Sequence, residues 1–124
     1  MTRISWASVL FGALVGFAGA LLVFIVLGIA GLQNDLRGQS VLIFLLYAAF
    51  LLAGFIAGRS ATTAHILHGG LAAMALFALQ AVISGADPLA IVFGALVATI
   101  IGSAGGALGQ WSRELDRGGS QDRP

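Results

Sequence analysis

Residues 38–59 read GQSVLIFLLYAAFLLAGFIAGR, a run with no charged residue until Arg59 closes it. An α-helix needs about 20 mainly apolar residues to cross a hydrocarbon core of about 30 Å. Backbone groups inside lipid must be bonded within the segment or within a closed barrel. This run is continuously apolar and lacks the alternation of a barrel strand, so it reads as a membrane-spanning helix. Three more windows share its character on either side: 4–34, 60–86 and 88–112 carry no Asp, Glu, Lys or Arg. Each is long enough for one crossing and too short for two.

The composition agrees. The 124 residues are 59% hydrophobic and 9% charged, with a mean hydropathy of +1.01. A soluble domain carries about 25% charged residues to cover its surface. Water is therefore excluded as the solvent of this chain, and a bilayer suits it. The expected fold is all-α, an integral membrane four-helix bundle with helices at about 4–32, 41–58, 65–84 and 88–110. Residues 1–112 form the transmembrane domain, and the polar tail 113–124 is expected to be disordered. Pro88 suits the first turn of the last helix, where its missing N–H costs nothing, and Asp87 before it is a good N-cap. The first apolar stretch far exceeds the roughly 7–15 residues of a signal-peptide core, so it reads as a retained span.

Arginine placement predicts orientation. Four spans put Arg3, Arg59, Arg113, Arg117 and Arg123 on one side and Arg37 alone on the other. The positive-inside rule then places both termini in the cytoplasm, which implies a multi-pass protein of the plasma membrane. Trp6, Trp111 and Arg59 fall at that same interface as anchors, with Arg59 expected to meet lipid phosphate. The outer loops, about 33–40 and 85–87, are too short for a receptor domain.

The chain has 18 glycines, well above the roughly 7% of average usage. Ten form small-residue stripes: Gly12 and Gly16, Gly54 and Gly58, Gly69 and Gly70, then Gly102, Gly105, Gly106 and Gly109. Given the topology, they lie in the cytoplasmic half of their helices, and tight helix packing is expected there. A faint repeat accompanies them. Residues 53–58 echo 104–109, and residues 11–14 echo 68–71, as two duplicated parallel hairpins would.

The run from Gly54 through Phe55, Ile56, Ala57, Gly58 and Arg59, followed by His68, Gly69 and Gly70, resembles a family of uncharacterised small four-helix bacterial membrane proteins. Their signature is A-G-G-[FY]-I-A-G-R, a short basic loop, then L-H-G-A at the start of the third helix. Ala53 stands where the signature has its first Gly, and Gly70 where it has the final Ala. The resemblance covers helices 2 and 3 and the Trp-then-Gly opening of helix 1. It implies a multi-pass membrane protein and no assigned activity.

Little in the sequence points to chemistry. There is no Cys, hence no thiolate site. No nucleophile–base arrangement, phosphate loop or cofactor motif occurs, so no catalytic, cofactor or metal residues are expected. A net charge of +1 offers no footprint for nucleic acid. His65 and His68 share a helix face, but nothing near them in sequence completes a metal shell, and they read as interfacial residues capping a short loop. Gln80, Thr99 and Ser103 are the polar residues that could line a path inside the bundle. The expectation is a non-enzymatic structural or interaction component, in contact with the lipid bilayer and with a second copy or a membrane-complex partner. The alternative is a small oligomeric transporter or channel.

Overall fold

Lipid leaves the backbone no hydrogen-bond partner but itself, and the chain answers with four helices. In the computed structural model, which describes residues 4–31 and 35–121 and only the backbone of 120 and 121, they are α1 (Trp6–Ile29), α2 (Leu36–Ser60), α3 (His65–Ser84) and α4 (Pro88–Gln121). All four are long and apolar enough to cross a membrane. The expected end of helix 1 at Leu32, and Arg3 and Arg123 of the charge argument, lie outside the described residues.

Two boundaries differ from expectation. Helix α2 begins at Leu36, inside the loop expected over 33–40. Its first turn is polar, and Ser40 Oγ donates to the Leu36 carbonyl one turn back, so the helix runs on past its apolar core. Helix α4 continues to Gln121, through most of the tail expected to be disordered. Arg113, Glu114, Asp116 and Arg117 are compatible with a solvated helix once the span has nucleated one, since only the first turn is costly to form. Gln110 Nε2 donates to Glu114 Oε1 at 3.0 Å across one turn of it.

Helices α2 and α3 form the centre. Helix α1 packs against both from one side and α4 against both from the other, and among the described residues α1 and α4 do not touch. That arrangement departs from a duplicated hairpin. A two-fold axis exchanging α1 with α3 and α2 with α4 would make α1 meet α4 as α2 meets α3, and it does not. The interior is built of small side chains: Ala53, Ala57, Ala72, Ala73 and Ala98 are buried, with Phe50 and Leu76 as the larger fillers. The Phe50 and Phe77 rings meet edge to face, centroids 6.2 Å apart. The Phe77 ring lies directly against Gly94, where a Cβ would collide with it. Large apolar residues such as Leu14, Phe44 and Phe93 point outward, as they must when lipid is the surrounding solvent.

Candidate functional site at the terminal end of the bundle

The helices converge at the end where α1 and α3 begin and α2 finishes. Small residues on α2 fall into two adjacent stripes, each with period four. Ala53 and Ala57 face α1, where a Cβ on Gly12 would stand 2.5 Å from the Ala53 carbonyl oxygen and one on Gly16 2.7 Å from the Ala53 Cβ. Gly54 and Gly58 face α4, Gly54 against the Gly102 backbone and Gly58 with its Cβ position 2.5 Å from Gly106 Cα. On α3, Gly69 meets Gly102 and Gly106, and Gly70 meets Ser103, whose Oγ would be 2.7 Å from an added Cβ. Gly105 and Gly109 lie against the α2 backbone between Leu51 and Arg59. Backbone thus approaches backbone across three helices, the geometry in which dispersion and Cα–H···O contacts hold spans together.

A polar layer closes this end. The first amides and last carbonyls of a helix have no partner inside it. Here the two histidines serve three helices. The Ser5 N–H, at the N-cap of α1, donates to His68 Nε2 at 2.7 Å, and His68 Nδ1–H donates to the Ala64 carbonyl at 2.9 Å. Since the Ser5 amide can only donate and the Ala64 carbonyl can only accept, His68 carries its proton on Nδ1. His65 Nδ1–H donates to the Gly58 carbonyl, an orphan acceptor in the last turn of α2, at 2.6 Å. Expected as an interfacial loop cap, His68 is 1% exposed, enclosed by protein. It sits beneath the start of α1, and both ring nitrogens are engaged within the protein. That leaves it no lone pair for a metal. Among the described residues no group of three His, Cys, Asp or Glu could hold an ion.

Arg59, expected as an interface anchor, also has partners within the protein. Its guanidinium turns to α4, donating from Nη1 to Ser112 Oγ at 2.6 Å and from Nη2 to Asp116 Oδ2 at 2.6 Å. Arg113 reaches back from α4 to the Ala61 carbonyl at 2.5 Å, just past the end of α2. Ser112 and Asp116 were not singled out in the sequence, and Arg113 only as a topology signal. Their signal was present, since 112 and 116 share a helix face, but only if the helix is known to extend that far. The Arg59–Asp116 pair is well exposed, at 45% and 64% of the two side chains. Such pairs contribute about 1 kcal/mol at most. Asp116→Ala should therefore leave the melting temperature nearly unchanged while freeing the α4 extension. A spin label at Gly118 should become more mobile in the variant, and an unchanged label spectrum would remove this role from the pair.

Trp6 and Trp111 are 63% and 60% exposed, at this same end of the bundle. The three polar residues expected to line a path are not brought together. Thr99 Oγ1 donates to the Ala95 carbonyl on its own helix at 2.7 Å, in an apolar groove beside Met74 and Leu96. Ser103 borders a shallow groove with His65 and Gln110 near the terminal end. Gln80 lies toward the far end, in a recess between α1, α2 and α3.

Four spanning helices locked by backbone contacts make this a membrane protein built as a four-helix bundle. Comparison of the chain with protein-family models, curated proteins and solved structures gives no match in any of the three.

Proposed function

We propose that the protein is a non-enzymatic structural or interaction component of the plasma membrane, with both termini cytoplasmic. It acts through helix contacts with a second copy or with a larger membrane complex. One observation carries this reading. Backbone contacts among Gly54, Gly58, Gly69, Gly102 and Gly106 close the centre of the bundle, while α1 and α4, held apart, each keep a whole flank turned outward. Those flanks are where a partner helix can lie. The likeness to the small four-helix bacterial family, carried by Gly54 to Arg59 and His68 to Gly70, supports the multi-pass part of this reading and carries no activity. No observation favours the transporter alternative, because Gln80, Thr99 and Ser103 lie in three separate places.

The chain has no cysteine, so single cysteines report contacts cleanly. Leu14→Cys on α1 and Phe93→Cys on α4 are both lipid-facing. At least one of them should cross-link in native membranes, to itself or to a co-purifying membrane protein. Proteoliposomes holding the purified protein should pass potassium and chloride no faster than empty vesicles. Flux above that level, abolished by Gln80→Leu, would replace this reading with the channel. Orientation is checked by reporter fusions after Arg37 and after Arg113. The first should report outside and the second cytoplasm, and a cytoplasmic signal after Arg37 would overturn the topology.

A further inference from the structure

The small-residue contacts do not run the length of α1. At Gly12 an added Cβ would be 2.5 Å from the α2 backbone, and at Gly16 the nearest α2 backbone atom would be 3.3 Å away. At Gly19 the closest atom of any kind would be the end of the Leu52 side chain at 3.9 Å. Beyond that point Leu21 and Phe24 are half-exposed, and α1 packs in again at Leu27, which is buried. Between the Gly12–Gly16 contacts and Leu27 the helix leaves a recess. It is a cavity of about 360 Å³, open to the surrounding bilayer. Phe17, Leu21 and Phe24 of α1, Leu42 and Leu46 of α2, and Ile83 of α3 make it apolar. Its floor is firm, since Phe17 and Leu46 pack on the buried core of Phe50, Ala53 and Leu76.

Into this apolar recess projects one polar group, Gln80, one turn before α3 ends at Ser84. The residue is half-buried, and its amide makes no hydrogen bond to a described residue. An amide at the edge of hydrocarbon is costly without a partner. Chemical complementarity therefore asks for an occupant that is apolar along its length and offers a hydrogen-bond acceptor at the level of Gln80. Shape narrows the choice. The volume lies in the range of small-ligand sites, whereas a partner helix is about 10 Å across with its side chains and cannot enter. A second copy could not present its own Gln80, because that residue also lies within a concavity.

We propose that the recess between α1, α2 and α3 is a binding site for a single acyl chain, with Gln80 donating from Nε2 to the carbonyl at the chain's head. The ester carbonyl of a phospholipid and the carboxyl group of a free fatty acid offer the same acceptor at the same depth.

The test is photo-labelling of the protein in nanodiscs. Three probes carry one diazirine at mid-chain: a phosphatidylcholine, a free fatty acid, and an alkane with no carbonyl. Phosphatidylcholine, fatty acid or both should label Phe17, Leu21, Leu46 and Ile83 at least fivefold above Leu89 and Phe93, which are exposed on the α4 flank. Whichever does so identifies the source of the chain. Ala20 also lines the recess; Ala20→Phe, which fills it, should abolish that excess and leave Phe93 labelling unchanged, while Ala20→Ser should keep it. Gln80→Leu should reduce the excess of the carbonyl probes and leave the alkane unaffected. Even labelling of recess and flank, or an excess that survives Ala20→Phe in a folded variant, would overturn the site. Equal loss of carbonyl and alkane probes on Gln80→Leu would overturn the role of Gln80.

Discussion

Gly58→Leu and Gly106→Leu should each lower the melting temperature of the detergent-solubilised protein by many degrees or prevent its assembly. The reason is what the new side chain meets. A Cβ on Gly58 would stand 2.5 Å from Gly106 Cα, and one on Gly106 would strike the His65 carbonyl. Neither obstacle is the tip of a flexible side chain that can rotate away. The two backbones must separate, and every contact along the α2–α4 and α3–α4 seams opens with them. Overpacking a well-packed core costs about 1–3 kcal/mol, and a clash with backbone on both sides should reach the upper part of that range. Lipid supplies no hydrophobic force to draw the helices back together. Phe44→Leu, at a side chain 73% exposed to the lipid side, is the matched control and should melt within a degree or so of wild type. If the glycine variants melt with Phe44→Leu, close backbone approach does not hold this bundle.

His68→Leu should produce the second large loss, for a different reason. Leucine fills a similar space but cannot accept the Ser5 N–H or donate to Ala64. The amide at the start of α1 is then left without its partner, at a cost of about 1–3 kcal/mol. His68→Ala should cost more, since it adds a void beneath α1. Amide exchange at Ser5 should accelerate at least tenfold in both variants. His65→Ala should matter less, because the His65 ring is itself half-buried and its removal opens the Gly58 carbonyl to interfacial water, whereas His68 is fully enclosed. Unchanged Ser5 exchange in His68→Leu would show that the histidine does not cap α1.

These two results probe parts of the protein that differ in how they were legible. The glycines announce themselves by spacing alone, because two small residues four apart always share a helix face. That reading found Gly54 and Gly58 without a structure. It did not find that Ala53 and Ala57, one position back, form a parallel stripe turned to another neighbour. Alanine is too common in apolar helices to stand out, and only the packing order of the helices tells which of two adjacent stripes faces which partner. The burial of His68 was missed for a related reason. Position near a helix start predicts an interfacial residue, but burial depends on whether another helix end lies across it, and α1 does.

The helical extent of α4 and the turn of Arg59 toward it share one cause. Charged residues past a span read as a solvated tail when each is taken singly. Continuation of the helix places Ser112 and Asp116 on one face, where a guanidinium from α2 reaches both. Whether the helix continues is decided by cooperativity from the span behind it and by the bonds it makes to α2, neither of which is local.

What the sequence determined by itself is the number of spans, their helical nature and the end at which they approach closely. Those follow from local quantities: the length of charge-free apolar runs, the backbone's need for internal hydrogen bonds in lipid, and the spacing of small residues. What only the tertiary structure decided is which helices are neighbours, that α1 and α4 do not pack on each other among the described residues, that two histidines cap the ends of other helices, and that α1, α2 and α3 leave a recess around Gln80. Each of these is a relation between residues far apart in the chain. In a membrane it is set by shape fitting between helices, which all present similar apolar surfaces to the same solvent and differ only in where they are small.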